Sequence, residues 1–326
     1  MRPALRPLSL LVAAIVGASL VTAISEAQSA TAATPAANAQ IAAIPPVPPR
    51  STSHYVRTIT GPLVDSSSAG EGCADATSGS TFVLLDIGAQ LNDGTGVALT
   101  VVNTRVAWAA LRTAINGYTA SFASCHTGPT ATIAVGTNNE GSFTAFSATN
   151  RGTGWADHVI NRLAPQPGLT LVGANDIEAN FASSEAQAEA WETAYLKKAT
   201  GVLIFNGAAS GCPTTPGVTK HSCSPVRDDN HIVKTWTQAQ YYRLAHALSP
   251  TRIRALPQIY RSGQATQWAN IDATGTKNIP FVGALTENAA APTTFTPAQG
   301  WTALCTGLQR IGVAPGKVVT DLKIDS

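Results

Sequence analysis

Short apolar runs alternate with longer segments of helical periodicity over most of this chain. The apolar runs start near residues 55, 81, 132, 169, 201, 253, 279 and 318. Segments with apolar residues at helical spacing lie between most of them, at 103–124, 153–163, 183–199, 237–248, 263–271 and 297–311. Strands that alternate with helices are typical of parallel βαβ units. The pattern therefore predicts an α/β fold built on eight parallel strands.

Eight parallel strands are enough to close a (β/α)8 TIM-like barrel whose inward side chains fill the interior. The first run, 55–60, alternates only weakly, and the Ser- and Gly-rich stretch at 66–80 predicts no helix. The last run, 318–324, is not followed by a helix pattern. An open, doubly wound parallel sheet is the alternative, because the two runs that must close the barrel are the weakest.

The N-terminal region has the pattern of an export signal. Residues 1–32 contain two arginines, an apolar run from Leu8 to Ile24, and then small residues, which is typical of a secretory signal peptide. An uncleaved membrane anchor is the alternative, because the run is close to the length that spans a bilayer. Residues 33–52 are rich in Ala and Pro and predict an extended linker. We expect 53–326 to form a single barrel domain of a secreted, extracellular protein without stable membrane insertion after cleavage.

Composition favours a large core and argues against a nucleic-acid partner. Apolar residues make up 44% of the chain and charged residues only 12%. The net charge of +2 becomes +1 once signal cleavage removes two arginines and Glu26. The six histidines are scattered, and the sequence has no paired metal-ligand spacing, no P-loop and no G-x-G-x-x-G, so we expect neither a metal nor a cofactor. The G-A-A-S-G at 207–211 is not the G-x-S-x-G of serine hydrolases.

Five cysteines in an exported chain predict disulfides. Cys212 and Cys223 bracket a short loop that is easily closed, and they form the first predicted pair. Cys73 and Cys125 flank the first clear strand and helix, and they form the second. Cys305 lies in an apolar helical pattern and is expected to be a buried thiol.

The strongest candidate site follows the fourth apolar run, LTLVGANDIE. Asp176 and Glu178 are spaced i, i+2, so on a strand they point to the same side, with Cα atoms roughly 6.5 Å apart. Val172 and Ala174 share that side. Acidic groups at the carboxyl end of a parallel strand are where α/β barrels carry their chemistry. We therefore expect this pair to form the catalytic centre of any enzyme built on this chain.

The D-I-E triplet resembles the D-x-E motif at the end of the fourth strand in secreted barrel glycosidases, both chitinase-like and bacterial muramidase-like. Chitinase-like enzymes carry D-x-x-D-x-D-x-E. Aligned on Glu178, this chain reads L-V-G-A-N-D-I-E, with Leu171 and Ala174 in place of the first two acids. The muramidase-like pattern requires fewer acidic residues on this strand and is the closer match. The resemblance covers one strand and the architecture.

The resemblance implies that Glu178 is the proton donor and that Asp176 orients the substrate or stabilises charge. Independently of any family, glycosidic cleavage needs one protonated carboxyl and one ionised carboxyl. Two acids on one side of a strand repel each other, which separates their pKa values. We expect further polar residues at strand ends to line the same mouth and bind substrate: Asp86, Asn139, Glu140, Asn206, Gln258, Tyr260, Glu287 and Asp321.

Asn139-Glu140 and Glu287 are similar to the acid/base and nucleophile pattern of another barrel glycosidase group. In that group an Asn-Glu pair ends strand four and a Glu ends strand seven. Here the strand count puts Asn139-Glu140 on strand three, one unit out of register.

The sequence leaves three functions open. The first is a glycoside hydrolase that cleaves a polysaccharide or cell-wall glycan by carboxylate general acid catalysis. The second is a non-catalytic barrel that binds an extracellular glycan or other ligand, and the third is a purely structural secreted protein. Fold analogy alone does not decide among them, because barrels of this type host many functions.

Overall fold

A computed structural model of the chain describes residues 43–100, 102–140, 145–181, 183–227 and 231–324. Eight parallel strands in these residues form a nearly closed barrel. In chain order they are β1 Arg50–Tyr55, β2 Phe82–Gln90, β3 Ala131–Asn138, β4 Leu169–Asp176, β5 Leu203–Phe205, β6 Ile253–Ala255, β7 Gly283–Thr286 and β8 Val318–Ile324.

Neighbouring strands of the barrel are paired in the order β6, β5, β4, β3, β2, β1, β8, β7. The terminal strands close the ring, because β1 pairs with β8 over its whole length. Two isolated parallel bridges, Ala255 with Phe281 and Gln258 with Leu285, join the β6 and β7 sides. The α/β fold on eight parallel strands that the sequence predicts is confirmed, and the strands form a nearly closed barrel.

In the part of the chain that the structure describes, seven helices connect successive strands of the barrel. They are α1 Glu71–Thr77, α2 Trp108–Cys125, α3 Ala145–His158, α4 Glu185–Lys198, α5 Gln238–Tyr242, α6 Gln264–Thr274 and α7 Pro297–Gln309. A π-helical turn, Arg243–Ala247, continues α5, and single 3-10 turns occupy Gly61–Leu63 and Ile160–Arg162. Short antiparallel strands lie outside the barrel at Gly96–Leu99 with Arg105–Ala107 and at Val226–Arg227 with Val233–Lys234.

The first strand lies five residues before the run that predicted it, and it begins inside the predicted linker. Its sequence, RSTSHY, has no apolar alternation because its inner positions are polar. Ser53 Oγ lies 2.6 Å from Thr320 Oγ1 on β8 and accepts a hydrogen bond from the Leu84 amide on β2. Ser51 Oγ accepts from the Phe82 amide in the same way. Serine hydroxyls thus take the place of apolar packing where β1 joins its neighbours.

Helix α1 was not predicted, and a disulfide explains how so short a helix is held. Cys73 on α1 is bonded to Cys125 at the end of α2, closing a separation of 52 residues. Cys212 and Cys223 form the second bond across 11 residues, and Cys305 is a buried free thiol. Both predicted disulfides and the predicted free cysteine are confirmed.

The core has an inner and an outer layer. Inside the barrel, apolar side chains from most of the strands and from the residues that directly follow them meet, including Leu84, Ala174, Ile204, Leu256 and Leu285. Outside it, two larger apolar clusters fill the space between the strands and the helices. Alternation along each strand produces this division, because successive side chains point to opposite faces.

The described N-terminal segment runs along α7 before it enters β1. The indole nitrogen of Trp301 donates to the carbonyl of Pro45 at 3.1 Å, and Gln309 donates to the carbonyl of Ala43. The predicted signal peptide lies outside the described residues, as does the first part of the linker. Within the described ranges, no helix is long and apolar enough to cross a membrane.

Helices α3 and α4 approach closely at a glycine. A Cβ at Gly152 would overlap the backbone carbonyl of Trp191 on α4. Gly154, two residues later on the same helix, would meet only the ring of His158, at 3.7 Å. The two glycines therefore differ in packing while sharing the same helical backbone.

This difference predicts opposite effects of the same substitution. Gly152→Ala should lower the free energy of unfolding by about 1–3 kcal/mol, because the helices must separate. Gly154→Ala should raise it by up to about 1 kcal/mol, because alanine is the better helix former. Urea denaturation of both variants measures the effect. Equal changes in the two variants would contradict the close packing of α3 on α4.

Candidate active site

A ring of polar side chains lines the carboxyl-terminal mouth of the barrel. Its members lie at the carboxyl-terminal end of a barrel strand or in the residues that follow it, beyond the inner apolar layer. The ring consists of Tyr55, Asp86, Asn138, Asp176, Asn206, Gln258 and Glu287. Strand register brings neighbours side by side, since Tyr55 is opposite Asp86 and Asn138 is opposite Asp176.

Asp176 lies deep in the mouth, with 6% of its surface exposed. Its Oδ1 accepts a hydrogen bond from the Gln258 side chain at 2.9 Å. Burial raises the pKa of Asp176 well above its ordinary value, and the negative charges of Glu178 and Asp86 raise it further. Asp176 is therefore a carboxyl that holds a proton far more readily than one in water.

Asp86 enters the mouth from β2 at an irregularity in that strand. The pairing register of β2 with β3 shifts between Asp86 and Ala89, as in a β-bulge. Gly88 within the shift has a φ of 114°, and a Cβ there would overlap the carbonyl of Ala98 in the following hairpin. Burial raises the pKa of Asp86 to about 7, and the charge of Glu178 contributes in the same direction.

Glu178 lies two residues beyond the end of β4 and is 9% exposed, and its charge acts on both Asp176 and Asp86. Asn139 fixes its backbone from the end of β3. The side-chain oxygen of Asn139 accepts from the Glu178 amide at 2.9 Å, and its nitrogen donates to the Glu178 carbonyl at 3.1 Å. The same nitrogen donates to Ser183 Oγ at 2.6 Å. Asn139 therefore holds the segment that carries Glu178.

Two tyrosines and Glu287 form the opposite side of the mouth. The Tyr55 hydroxyl donates to Glu287 Oε2 at 3.3 Å. Burial raises the pKa of Tyr55, and the charge of Asp86 acts in the same direction. Burial also raises the pKa of Tyr260, with a further contribution from Tyr55, and burial raises the pKa of Glu287. Tyr55 was not predicted from the sequence, because the first strand was placed too late in the chain.

Two buried oxygens of the ring have no hydrogen-bond partner within the described part of the chain. They are Oδ1 of Asp86 and Oδ1 of Asn206. Asn206 is 1% exposed and follows β5 directly, and its amide donates to Asn175 on β4. It therefore lies beside Asp176. Buried oxygens without a donor normally have one supplied from elsewhere.

Asp321 is separate from this ring, although its strand ends at the same edge. It shares a face of β8 with Val319, which packs against α7 outside the barrel. Its carboxylate accepts from the Thr286 hydroxyl at 2.7 Å and from the Asn288 amide at 2.8 Å, and Arg50 pairs with it at 2.9 Å. Through these contacts Asp321 links β7, β8 and β1.

Glu140 follows the ring at the rim, half-buried, and its amide donates to Asn138 Oδ1 at 3.2 Å. Its charge is one of those that raise the pKa of Asp86. The sequence-derived residues Asp86, Glu140, Asp176, Glu178, Asn206, Gln258, Tyr260 and Glu287 thus lie around one mouth.

A second polar network lies outside the barrel, between β1, α1 and β8. His54 Nε2 is 2.6 Å from Asp75 Oδ2, to which the Tyr118 hydroxyl also donates, and Glu71 lies beside them. Burial raises the pKa of Asp75, but the contacts with His54, the charge of Lys323 and the hydrogen bond from Tyr118 together hold that pKa below its ordinary value. The three potential metal ligands His54, Glu71 and Asp75 lie within 4.8 Å of one another. Lys323 contacts both acids, so the network contains its own cation.

Comparison of the chain with protein-family models and with curated proteins found no match.

The raised pKa of Asp86 predicts a specific dependence of stability on pH. Because folded Asp86 binds its proton more tightly than the unfolded chain does, its stabilising contribution is fully present below about pH 4. That contribution is lost as the pH rises to about 7, by about 4 kcal/mol at most.

Urea denaturation between pH 4 and 8 should show this loss in the wild type and a flatter profile in Asp86→Asn. Asp157→Asn, an aspartate on the surface of α3, is the control and should follow the wild type. Parallel wild-type and Asp86→Asn profiles would contradict a proton held by Asp86 in the folded state.

Proposed function

We propose that the chain is a secreted glycoside hydrolase in which Glu178 is the general acid and Asp176 is its partner. The observation that carries the proposal is the group of Asp86, Asp176 and Glu178 at the carboxyl-terminal mouth, where their charges act on one another. Active sites of (β/α)8 enzymes lie at this end of the barrel. Perturbed carboxyl groups in such a mouth are typical of catalytic acids and bases.

Cleavage of a glycosidic bond requires a proton on the leaving oxygen and negative charge near the positive sugar centre. A group of neighbouring carboxyls meets both needs. Mutual repulsion prevents all of them from ionising together, so some stay protonated while others carry a negative charge. Burial raises the pKa of Asp86 and of Asp176, so this group of carboxyls keeps protons at a pH where exposed acids have lost theirs. In this proposal Glu178 takes up a proton from the group and donates it to the leaving oxygen.

Asn139 contributes to this arrangement by positioning Glu178, not by contacting the substrate. Its amide bonds to both backbone groups of Glu178, which limits the places that the carboxyl can reach. General acid catalysis depends on such placement, because the acid must come within hydrogen-bond distance of the oxygen it protonates. In this proposal Asn139 is a positioning residue.

The remaining mouth residues suit a hydroxyl-rich substrate. Gln258, Asn206 and Tyr260 offer amide and hydroxyl groups close to the carboxyls, which are the usual partners of sugar hydroxyls in mixed polar sites. Two disulfides favour an oxidising compartment, in agreement with the export pattern at the N-terminus.

Glu178→Gln tests the proposal directly, because it keeps the shape of the side chain and removes the proton donor. Release of reducing ends from a panel of bacterial and fungal wall glycans should fall by at least about 100-fold, the usual scale of general acid catalysis. Glycan binding should change little. Glu189→Gln, on the outer surface of α4, is the matched control and should retain wild-type turnover.

Two results would contradict a hydrolase. One is a wild-type protein that binds glycans but releases no reducing ends between pH 4 and 8, which would identify a glycan-binding barrel instead. The other is a Glu178→Gln variant with undiminished turnover, which would place the chemistry on other residues.

A further inference from the structure

Trp108 is the tryptophan that the core leaves partly exposed. All six tryptophans lie in the described residues, and the other five are buried: Trp155, Trp191, Trp236, Trp268 and Trp301. Trp108 is the first residue of α2 and is half-buried. Its ring lies nearly parallel to that of His158, at an interplanar angle of 15° with centroids 5.8 Å apart. A large ring fixed at the surface offers contact area to a ligand at little cost in conformational entropy.

A cavity of about 230 Å³ opens beside Trp108. One wall is the turn that follows β2, and another is a face of α3. Its lining includes Asn92, Asp93, Trp108, Asn150, Arg151 and His158. Cavities that hold drug-sized ligands measure about 300–1,000 Å³, so this one suits a single ring. The turn begins at the carboxyl end of β2, the strand that carries Asp86 into the mouth.

Asp93 is held in place in the lining of the cavity, and its charge is balanced. Its Oδ1 accepts hydrogen bonds from the Thr95 amide at 3.0 Å and from the Thr95 hydroxyl at 2.7 Å. Its Oδ2 accepts from Arg105. Even so, 48% of the Asp93 side chain is exposed. A carboxylate has about four lone-pair sites, so Asp93 keeps the capacity to accept a hydrogen bond from a ligand hydroxyl.

Amide groups supply donors beside this acceptor. The side-chain oxygen of Asn92 accepts from Arg151, which fixes the orientation of the amide, and the amide nitrogen is a donor. Asn150 is exposed on α3 and offers both a donor and an acceptor. The indole nitrogen of Trp108 donates to the Gly94 carbonyl at 2.7 Å, which ties the ring to the same turn. A site fixed in this way loses little entropy when it binds a ligand.

These groups match a neutral sugar ring better than a charged ligand. A pyranose has an apolar C–H face, which packs on an aromatic ring, and hydroxyls that both donate and accept hydrogen bonds. Asp93 is paired with Arg105, so it presents little net charge. Arg151 is mostly covered, with 5% of the residue exposed. A charged ligand would therefore give up its hydration for little attraction.

We propose that this cavity is a carbohydrate-binding site that holds one neutral pyranose unit of a glycan against Trp108. The site is separate from the carboxyls of the mouth, and it binds whether or not the mouth hydrolyses. Two binding points on one chain raise the affinity for a polymeric glycan, because the second contact forms at a high effective concentration. The cavity thus retains the protein on a polysaccharide.

Oxidation of Trp108 by N-bromosuccinimide tests the inference at the site itself. The full chain carries Glu178→Gln, so that hydrolysis does not consume the probes, which are linear hexamers of glucose and of N-acetylglucosamine. Peptide mass mapping should show that Trp108 is oxidised before the five buried tryptophans. At saturating concentration, at least one of the two hexamers should slow its oxidation by about 5-fold or more, because mass action leaves few rings uncovered.

Three outcomes of this experiment would overturn the inference. Resistance of Trp108 to oxidation in the absence of glycan would show that the ring is closed to ligands. Equal oxidation rates with and without each hexamer would reject a carbohydrate site. Protection by the anionic hexamer of galacturonic acid alone would assign a site for acidic ligands instead.

Two substitutions in the same background locate the ligand. Asn150→Ala removes a donor and an acceptor, and Asp93→Asn removes the carboxylate. Each should raise the hexamer concentration that halves the oxidation rate by about 3- to 10-fold. Asn150→Ala, at an exposed position, serves if Asp93→Asn fails to fold.

Asp157→Asn is the matched control, because it makes the same charge change on the surface of α3 outside the cavity. It should leave the protecting concentration unchanged. Unaltered protection in Asn150→Ala, or an equal loss of protection in Asp157→Asn, would overturn the proposed site.

The proposed hydrolase and this binding site have separate readouts. Protection of Trp108 by a hexamer that the wild type does not cleave would reject the hydrolase and preserve the binding site. Release of reducing ends by the wild type without any protection of Trp108 would preserve the hydrolase and reject the binding site.

Discussion

Removal of several carboxyl groups from water is the constraint on which this site depends. Asp86 and Asp176 point into a barrel whose lower layers are apolar, so water cannot solvate their charges well. Each charge also raises the cost of ionising the other, and Glu178 adds to both. A protonated carboxyl relieves this cost without any partner. Carboxyl groups of the mouth therefore stay protonated at a pH where exposed acids have ionised. Acid catalysis near neutral pH requires such a protonated group.

The scaffold maintains this unfavourable grouping by fixing the backbone around it. Asp86 points inward by the same alternation that places Phe82 and Leu84 inside the barrel, and the register of β2 shifts directly after it. Asn139 bonds to the backbone of Glu178. Gln258 supplies a side-chain hydrogen bond that partly compensates Asp176. On the far side of the wall, Asp321 joins β1, β7 and β8 through amide, hydroxyl and guanidinium donors. The same residue type is thus a well-paired structural group outside the barrel and a perturbed group inside it.

Apolar periodicity was enough to predict the eight strands, because most of them carry apolar residues on both faces. It failed at β1, where Ser51 and Ser53 replace apolar packing with hydrogen bonds to adjacent strands. Helix α1 escaped prediction because seven residues held by a disulfide need little periodicity of their own. Spacing along β4 predicted that Asp176 and Glu178 share a side, yet the sequence did not reveal Tyr55 in the mouth. Nor did it separate Asp321 from the ring, because the face that a strand-end residue occupies depends on register.

Residue-specific NMR titration of the side-chain carboxyl carbons is the most direct test of this account. With aspartate and glutamate labelled with ¹³C, Asp86 should titrate near pH 7, and Asp176 should remain protonated well above the range of an exposed aspartate. In Glu178→Gln, both pKa values should fall, since one of the negative charges that raises them is gone. Titration of both aspartates near pH 4 in the wild type, unaffected by Glu178→Gln, would contradict the account, because the mouth would then hold solvated and independent acids.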